Sequence, residues 1–244
     1  MTPVQASTVI LLRNGSDGVE TFMLERHLDS DFVGGAYVFP GGKVDDEDCS
    51  LPSDLWFGID PVKEAPRFGV EPSVALGLYV AAARETLEEA GVLLSTVATM
   101  PADRPGHDDS LEPWLRDHRV QLDLGRLAPW SWWVTPEGVH RRYDTKFFAA
   151  VAPPEQDARH DGSETTDSMW VRPAEAVARA TAGEVMIILP TRHNLMAIEG
   201  TDAAAIVEAS RVRFPERIQP EVRPDPMSGE MRIFHESFEG LEEF

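Results

Sequence analysis

The sequence predicts an α+β fold, a mixed β-sheet held between helices in an α/β/α sandwich. Three observations carry the prediction. Two β-rich runs, Ser7 to Arg13 and Val19 to Arg26, flank the turn-forming cluster Asn14-Gly15-Ser16-Asp17-Gly18 and read as an antiparallel pair. A long segment, Ser73 to Ala90, has Leu76, Val80, Ala83 and Leu87 at helical spacing and a stop at Gly91. Beyond it strands return before further helices, and that order of elements defines the class.

Between the first pair and the long helix, Gly34 to Gly42 reads as a short strand broken by Pro40 and two glycines, where the backbone turns tightly or approaches another group. Asp45 to Pro72, punctuated by Pro52, Pro61 and Pro66, is expected to be loop with short helical pieces. The apolar stripe of the long helix is expected to face the core. Ser110 to His118 suggests a short helix, and Trp130 to Val134 and Thr145 to Val151 are strands joined through Thr135-Pro136-Glu137-Gly138. Thr166 to Val171 is a further strand and Pro173 to Thr181 a helix with proline in its first turn. Pro190 to Ser210 reads as helical, and the proline-rich Arg211 to Pro226 as extended over the surface.

Composition narrows the function. With 42 acidic and 22 basic residues the formal charge is −20, which disfavours nucleic acid and anionic membranes as partners. An acidic protein that binds a phosphorylated substrate needs cations at the site, either metal or placed arginines. One cysteine, Cys49, excludes an intramolecular disulfide and a thiolate-only zinc site. No apolar run is long enough for a membrane span and no leader pattern opens the chain, so a soluble, unprocessed cytoplasmic protein is expected. The seven histidines show no zinc-binding helical pair, and no glycine-rich loop ends in Lys-Ser or Lys-Thr, so a P-loop is disfavoured.

Within the long helix, Arg84-Glu85-Thr86-Leu87-Glu88-Glu89-Ala90-Gly91-Val92 places three carboxylates at relative positions 0, 3 and 4, which project into one sector. Three like charges so close need water or a cation to offset them, and hard divalent ions prefer oxygen ligands. A generic glutamate-rich helix end is most often a solvated face. Here the residues are similar to the end of the Nudix signature, Arg-Glu-U-x-Glu-Glu-x-Gly-U with U a bulky aliphatic, with Thr86 the one departure. Phe39-Pro40-Gly41-Gly42 upstream resembles the glycine-rich start of the same signature. At roughly one in 20 per position, five fixed matches arise by chance about once in three million start points.

The resemblance implies a Nudix fold with a mixed sheet and an insertion inside the Nudix box. Asp48 falls where the signature has its first glutamate, and Arg84 comes 36 residues after it rather than eight, an insertion of about 28 residues. A single domain over residues 1–244 is expected, with the insertion at about 49–76 and an added C-terminal segment at about 190–244. The split box, together with Trp130-Ser131-Trp132-Trp133-Val134-Thr135-Pro136 and Arg141-Arg142-Tyr143-Asp144-Thr145-Lys146-Phe147-Phe148, resembles the branch of coenzyme A diphosphatases.

That branch implies metal-dependent hydrolysis of a pyrophosphate bond in coenzyme A or acyl-coenzyme A. ADP-ribose or NADH-type substrates, nucleoside triphosphates, and a non-catalytic nucleotide sensor stay open as alternatives. Glu85, Glu88 and Glu89, with the carbonyl of Gly42, are the implied ligands of Mg²⁺ or Mn²⁺, and Arg84 is expected to orient a glutamate. Glu164 is the candidate general base or extra ligand, against the alternative of a solvated loop carboxylate. A coenzyme A signature matches in part: Arg26, Gly35, Phe39 and Gly41 fall in register, while Asp31 stands in place of an arginine. Arg26, Phe39, Gly41 and Arg142 are thus candidates for substrate contact. Trp130, Trp132 and Trp133 suit either base stacking or the core. Dimers are common in the family, so a homodimer is a candidate assembly.

Overall fold

The computed structural model describes residues 2–28, 33–97, 99–101, 103–107, 109–225 and 231–235, so Asp31 lies outside the described residues. β1 (Val4–Gly15) and β2 (Gly18–Arg26) form the expected antiparallel pair. β3 (Tyr37–Val38) adds to β2, and β4 (Gly41–Lys43) to the first half of β1. A 3₁₀ turn at Asp48–Ser50, β5 (Trp56–Phe57) and α1 (Pro61–Phe68) precede α2 (Pro72–Ala90), which ends with Gly91 in the left-handed region at φ 65°.

α3 (Leu111–His118) and β6 (Leu122–Asp123) lead to β7 (Ala128–Val134) and β8 (Tyr143–Val151). β9 (Thr165–Val171) and α4 (Pro173–Thr181) follow. The expected single helix at Pro190 to Ser210 is two, α5 (Leu189–Met196) and α6 (Ala203–Ser210), separated by a corner with Gly200 at φ 131°. Beyond them the chain returns to the sheet as β10 (Arg217–Ile218), and β11 (Glu221–Pro224) pairs antiparallel with β12 (Met231–Phe234).

The main sheet runs β10-β7-β8-β1-β2-β3, with β4 on β1 and β9 on β2. It is mixed: β1 pairs parallel with β8 and β10 with β7, and its other ladders are antiparallel. Parallel pairing sets β1 in the middle of the sheet, and its run Val9-Ile10-Leu11-Leu12 is buried on both faces. Val9 and Leu11 pack with α1, α2 and α3; Ile10 and Leu12 pack with α4, α5 and α6. Each of these side chains contributes about 1.5–3 kcal/mol of burial.

α2 departs from a surface amphipathic helix. Every residue from Ala75 to Ala90 is buried, the glutamates included. On one side Tyr79 stacks obliquely on Phe148, with ring centroids 4.6 Å apart, and its hydroxyl donates to Glu64 of α1 at 2.7 Å. Ser7 of β1 donates to the carbonyl of Leu78 at 2.7 Å. These contacts fix the helix and therefore the direction of its polar end.

Candidate active site

The two glycines of β4 serve close approach, since neither has positive φ. A Cβ on Gly41 would strike the backbone of Ser7 and Thr8, and one on Gly42 would strike the carboxylate of Glu85. Glycine here lets the sheet edge lie directly on the carboxylate end of α2. From that edge the Gly41 amide donates to Glu89 Oε2 at 2.8 Å.

Arg84 ties the rest together. Its Nε and Nη2 donate to Asp48 Oδ1 and Oδ2, each at 3.0 Å, and Nη2 also donates to the Lys43 carbonyl at 2.9 Å. Nη1 donates to Glu85 Oε1 at 2.8 Å and to Glu88 Oε2 at 3.0 Å. One planar donor fork thus joins the start of the insertion to two helix carboxylates. Thr86, the departure from the signature, is accommodated by donating its buried hydroxyl to the Ala82 carbonyl at 2.7 Å.

The group is almost sealed: Asp48, Glu85, Glu88 and Glu89 are 3%, 3%, 5% and 7% exposed. Burial raises the Glu88 pKa to about 8 against the lowering effect of Arg84. Glu85 is raised by burial, partly offset by Arg84, and Glu89 well raised by burial and by Glu85. Asp48 is also raised by burial despite its pairing. Burial acts to lower Arg84, but its carboxylate partners outweigh it and hold the guanidinium firmly protonated. The cluster is an anion-rich interior with one cation, short of positive charge.

Glu88 Oε1 is buried and accepts no hydrogen bond. Glu88 and Glu89 border a cavity of about 190 Å³ whose other walls include Arg104, His107, Asp161 and Glu164. The structure therefore brings Glu164 to the cavity that Glu88 and Glu89 border. Its backbone carbonyl accepts from the His27 amide at 2.9 Å, and its carboxylate meets His107 Nδ1 at 3.4 Å. Asp161 organises this loop. Its carboxylate accepts from the amides of Ser163, Glu164 and Thr165 and from the hydroxyls of Ser163 and Thr165. These donors hold its pKa well below the usual carboxylate range, over the opposing effect of burial.

The remaining sequence candidates are dispersed. Arg26 has a buried Nε that makes no hydrogen bond, and its charge acts on Glu89. Phe39 belongs to the same buried core cluster as Tyr37 and Ile187 and is not in the lining of the glutamate cavity. Gly41 contacts Glu89 rather than open space. Arg142 donates to the Thr135 carbonyl at 3.1 Å within the β7–β8 connection. Trp130 lies under Arg213, Trp132 covers Lys146, and Trp133 meets His193 edge-on, so all three are engaged in packing. Sequence reasoning left Asp48 without a role and passed over Asp161, His107 and Arg104. The spacing from Gly42 pointed to Asp48; no local pattern marked the other three.

Among the described residues, no group of three or more His, Cys, Asp or Glu side chains is arranged to hold a metal ion. Arg84 and the Gly41 amide take one oxygen from each helix glutamate. The donor set nevertheless fits a hard divalent cation: carboxylate oxygens, among them the orphaned Glu88 Oε1, in an interior short of positive charge.

No family model matches the chain. It is 29% identical over 225 residues to the human acyl-coenzyme A diphosphatase NUDT19, covering 72% of this chain and 59% of that protein. It is 30% identical over 230 residues to the chicken protein of the same name, covering 72% and 60%. The chain thus spans about three fifths of the length of these relatives. Its structure is similar to that of a NUDIX hydrolase from Alicyclobacillus acidocaldarius, with TM-score 0.71 and 26% identity over 85% of this chain and 96% of that one. The mixed sheet between helices and the arginine-locked glutamate helix beside a glycine edge define a Nudix fold. The chain belongs to the Nudix hydrolase superfamily, and its human and chicken relatives are acyl-coenzyme A diphosphatases.

Proposed function

We propose that this protein hydrolyses a pyrophosphate bond in a nucleoside-diphosphate-linked substrate, coenzyme A or an acyl-coenzyme A, with a divalent cation, Mg²⁺ or Mn²⁺. The observation that carries the reading is the orphaned oxygen of Glu88, on a residue that borders a cavity shared with Glu89 and Glu164. Glu85, Glu88 and Glu89, with the Gly42 carbonyl, would hold the metal. When bound, the cation supplies charge neutralisation of the pyrophosphate and a water of lowered pKa.

The chain's own groups do the rest. Arg84 fixes Glu85 and Glu88 through its fork, and Asp48 fixes Arg84. Glu164, held by the Asp161 cage, accepts the proton of the attacking water. Arg104, in the wall of that cavity, and Arg26, whose charge acts on Glu89, supply positive charge on the side of the substrate phosphates. The assignment of coenzyme A rests on the human and chicken relatives and the split signature.

A product assay over coenzyme A, acetyl-coenzyme A, ADP-ribose, NADH and nucleoside triphosphates, with each metal, tests the reading. Cleavage of coenzyme A to a 3′,5′-ADP product is expected. Preference for ADP-ribose or NADH would reassign the substrate, and no turnover of any compound would leave a nucleotide-binding role.

A further inference from the structure

A second cavity, of about 560 Å³, lies between the insertion and α3. Its walls include Ser50 and Leu51 of the insertion and Ser110 to Pro113 of α3, and its floor carries Asp48, Val80 and Arg84. The walls are tied together: Ser110 donates to Glu47 at 3.0 Å, and Arg116 of α3 to Asp54 at 3.0 Å. The volume lies within the range of small-molecule sites, about 300–1,000 Å³. His107 lines both this cavity and the one at Glu88 and Glu89, so a substrate whose pyrophosphate sits at the glutamates has one arm directed into it.

The charges on the two sides differ. In the larger cavity both arginines are already committed, Arg84 to Asp48, Glu85 and Glu88, and Arg116 to Asp54 and Glu112. Asp45, Asp109 and Asp117 add further carboxylates to its rim. A phosphate there would meet negative charge and no uncommitted guanidinium among the described lining residues. The Glu89 side is lined by carboxylates too, Glu88, Glu89, Asp161 and Glu164, but the arginines there are not committed to carboxylates. Arg104 donates to the uncharged carbonyls of Arg159 and His160, and Arg26, behind the cavity lining, keeps a buried Nε without an acceptor.

From this asymmetry we propose that the insertion-lined cavity is the subsite for an uncharged arm rich in amides and hydroxyls, such as a pantetheine chain. The phosphorylated nucleoside lies on the opposite side, toward Arg26 and Arg104. Amide N–H and hydroxyl groups donate to the carboxylate rim, while the arm's methyl and methylene carbons rest on the accessible edges of Leu51 and Leu111. The insertion that splits the signature thereby acquires a task, the selection of the non-nucleoside half of the substrate.

The inference rests on the proposed pyrophosphate chemistry for its orientation but is tested by binding alone. Ligand-detected NMR on the full chain would titrate pantetheine and, separately, 3′,5′-ADP into wild type, Pro113→Trp and Ser110→Trp. Both substituted positions are exposed on the cavity wall, so either indole fills it with the core untouched. Pantetheine should bind wild type and lose at least about tenfold in affinity in both variants, with 3′,5′-ADP binding unchanged. Absence of pantetheine binding, equal binding by all three proteins, or weakened 3′,5′-ADP binding in the variants would each overturn the assignment. Pantetheine binding without hydrolysis of any substrate would instead overturn the proposed reaction and leave the subsite standing.

Discussion

Replacing Arg84 with methionine removes the one cation from a buried set of carboxylates while keeping a side chain of similar length. Arg84 makes five hydrogen bonds, two to Asp48, one each to Glu85 and Glu88, and one to the Lys43 carbonyl. At about 1.5–3 kcal/mol for each charge-assisted bond, simple addition overstates the loss, because unpaired carboxylates take up protons. The cost of breaking one buried ion pair, about 3–5 kcal/mol, is the better figure. At about 2–4 °C per kcal/mol for a chain of this size, the midpoint of thermal unfolding should fall by about 6–20 °C in EDTA. The deficit should narrow in Mg²⁺ or Mn²⁺, which would restore positive charge to the same oxygens. A variant that melts within about 2 °C of wild type in EDTA would refute the view that Arg84 holds this cluster together.

Further expectations concern single groups. Glu88 titrates at about 8 in the folded chain against 4.5 in its ordinary state, so its favourable contribution is complete below about pH 4.5 and lost as pH rises through 8. Glu88→Gln should therefore raise the melting point in EDTA above about pH 8, with no gain below 4.5, while abolishing hydrolysis; calorimetric scans across pH and the product assay check both. Asp161→Ala should release the amides of residues 163–165 to rapid hydrogen exchange and lower kcat by about 10–100-fold with KM little changed, the range of an orienting residue. Combined with Glu164→Gln it should add nothing further, and additive losses would show that Asp161 acts elsewhere. Gly42→Ala forces a methyl against the Glu85 carboxylate and should cost about 1–3 kcal/mol, read from urea unfolding.

Local chemistry made much of this structure legible. The turn cluster at Asn14 to Gly18 set β1 and β2, and helical spacing with Gly91 bounded α2 to within one residue. Arg84 and the glutamates were found because their spacing on one helix is a property of the chain alone. What covers them was not, because it comes from distant segments: β4, the turn at Asp48, and the loops at 104–107 and 161–164. The acidic face, which in a generic glutamate-rich helix end would be solvated, is thus buried. The tryptophans of β7 were ambiguous because aromatic residues suit stacking and packing equally, and only the positions of Lys146, His193 and Arg213 decide for packing. The break between α5 and α6 escaped notice because Gly200 within an otherwise helical run is tolerated by pattern, and its φ of 131° arises only in three dimensions. The pairing of β10 with β7 depends on contacts between residues far apart in sequence.

The central claim is that the buried carboxylate end of α2 is a divalent-cation site beside Glu164. Its most direct test is equilibrium binding of Mn²⁺ to the metal-stripped full chain, followed by the electron paramagnetic resonance signal of the free ion. Wild type should bind saturably, and binding should be strongly weakened in Glu88→Gln and in Glu89→Gln, with both variants still folded. Mn²⁺ affinity unchanged by both substitutions, or no saturable binding by wild type, would contradict it.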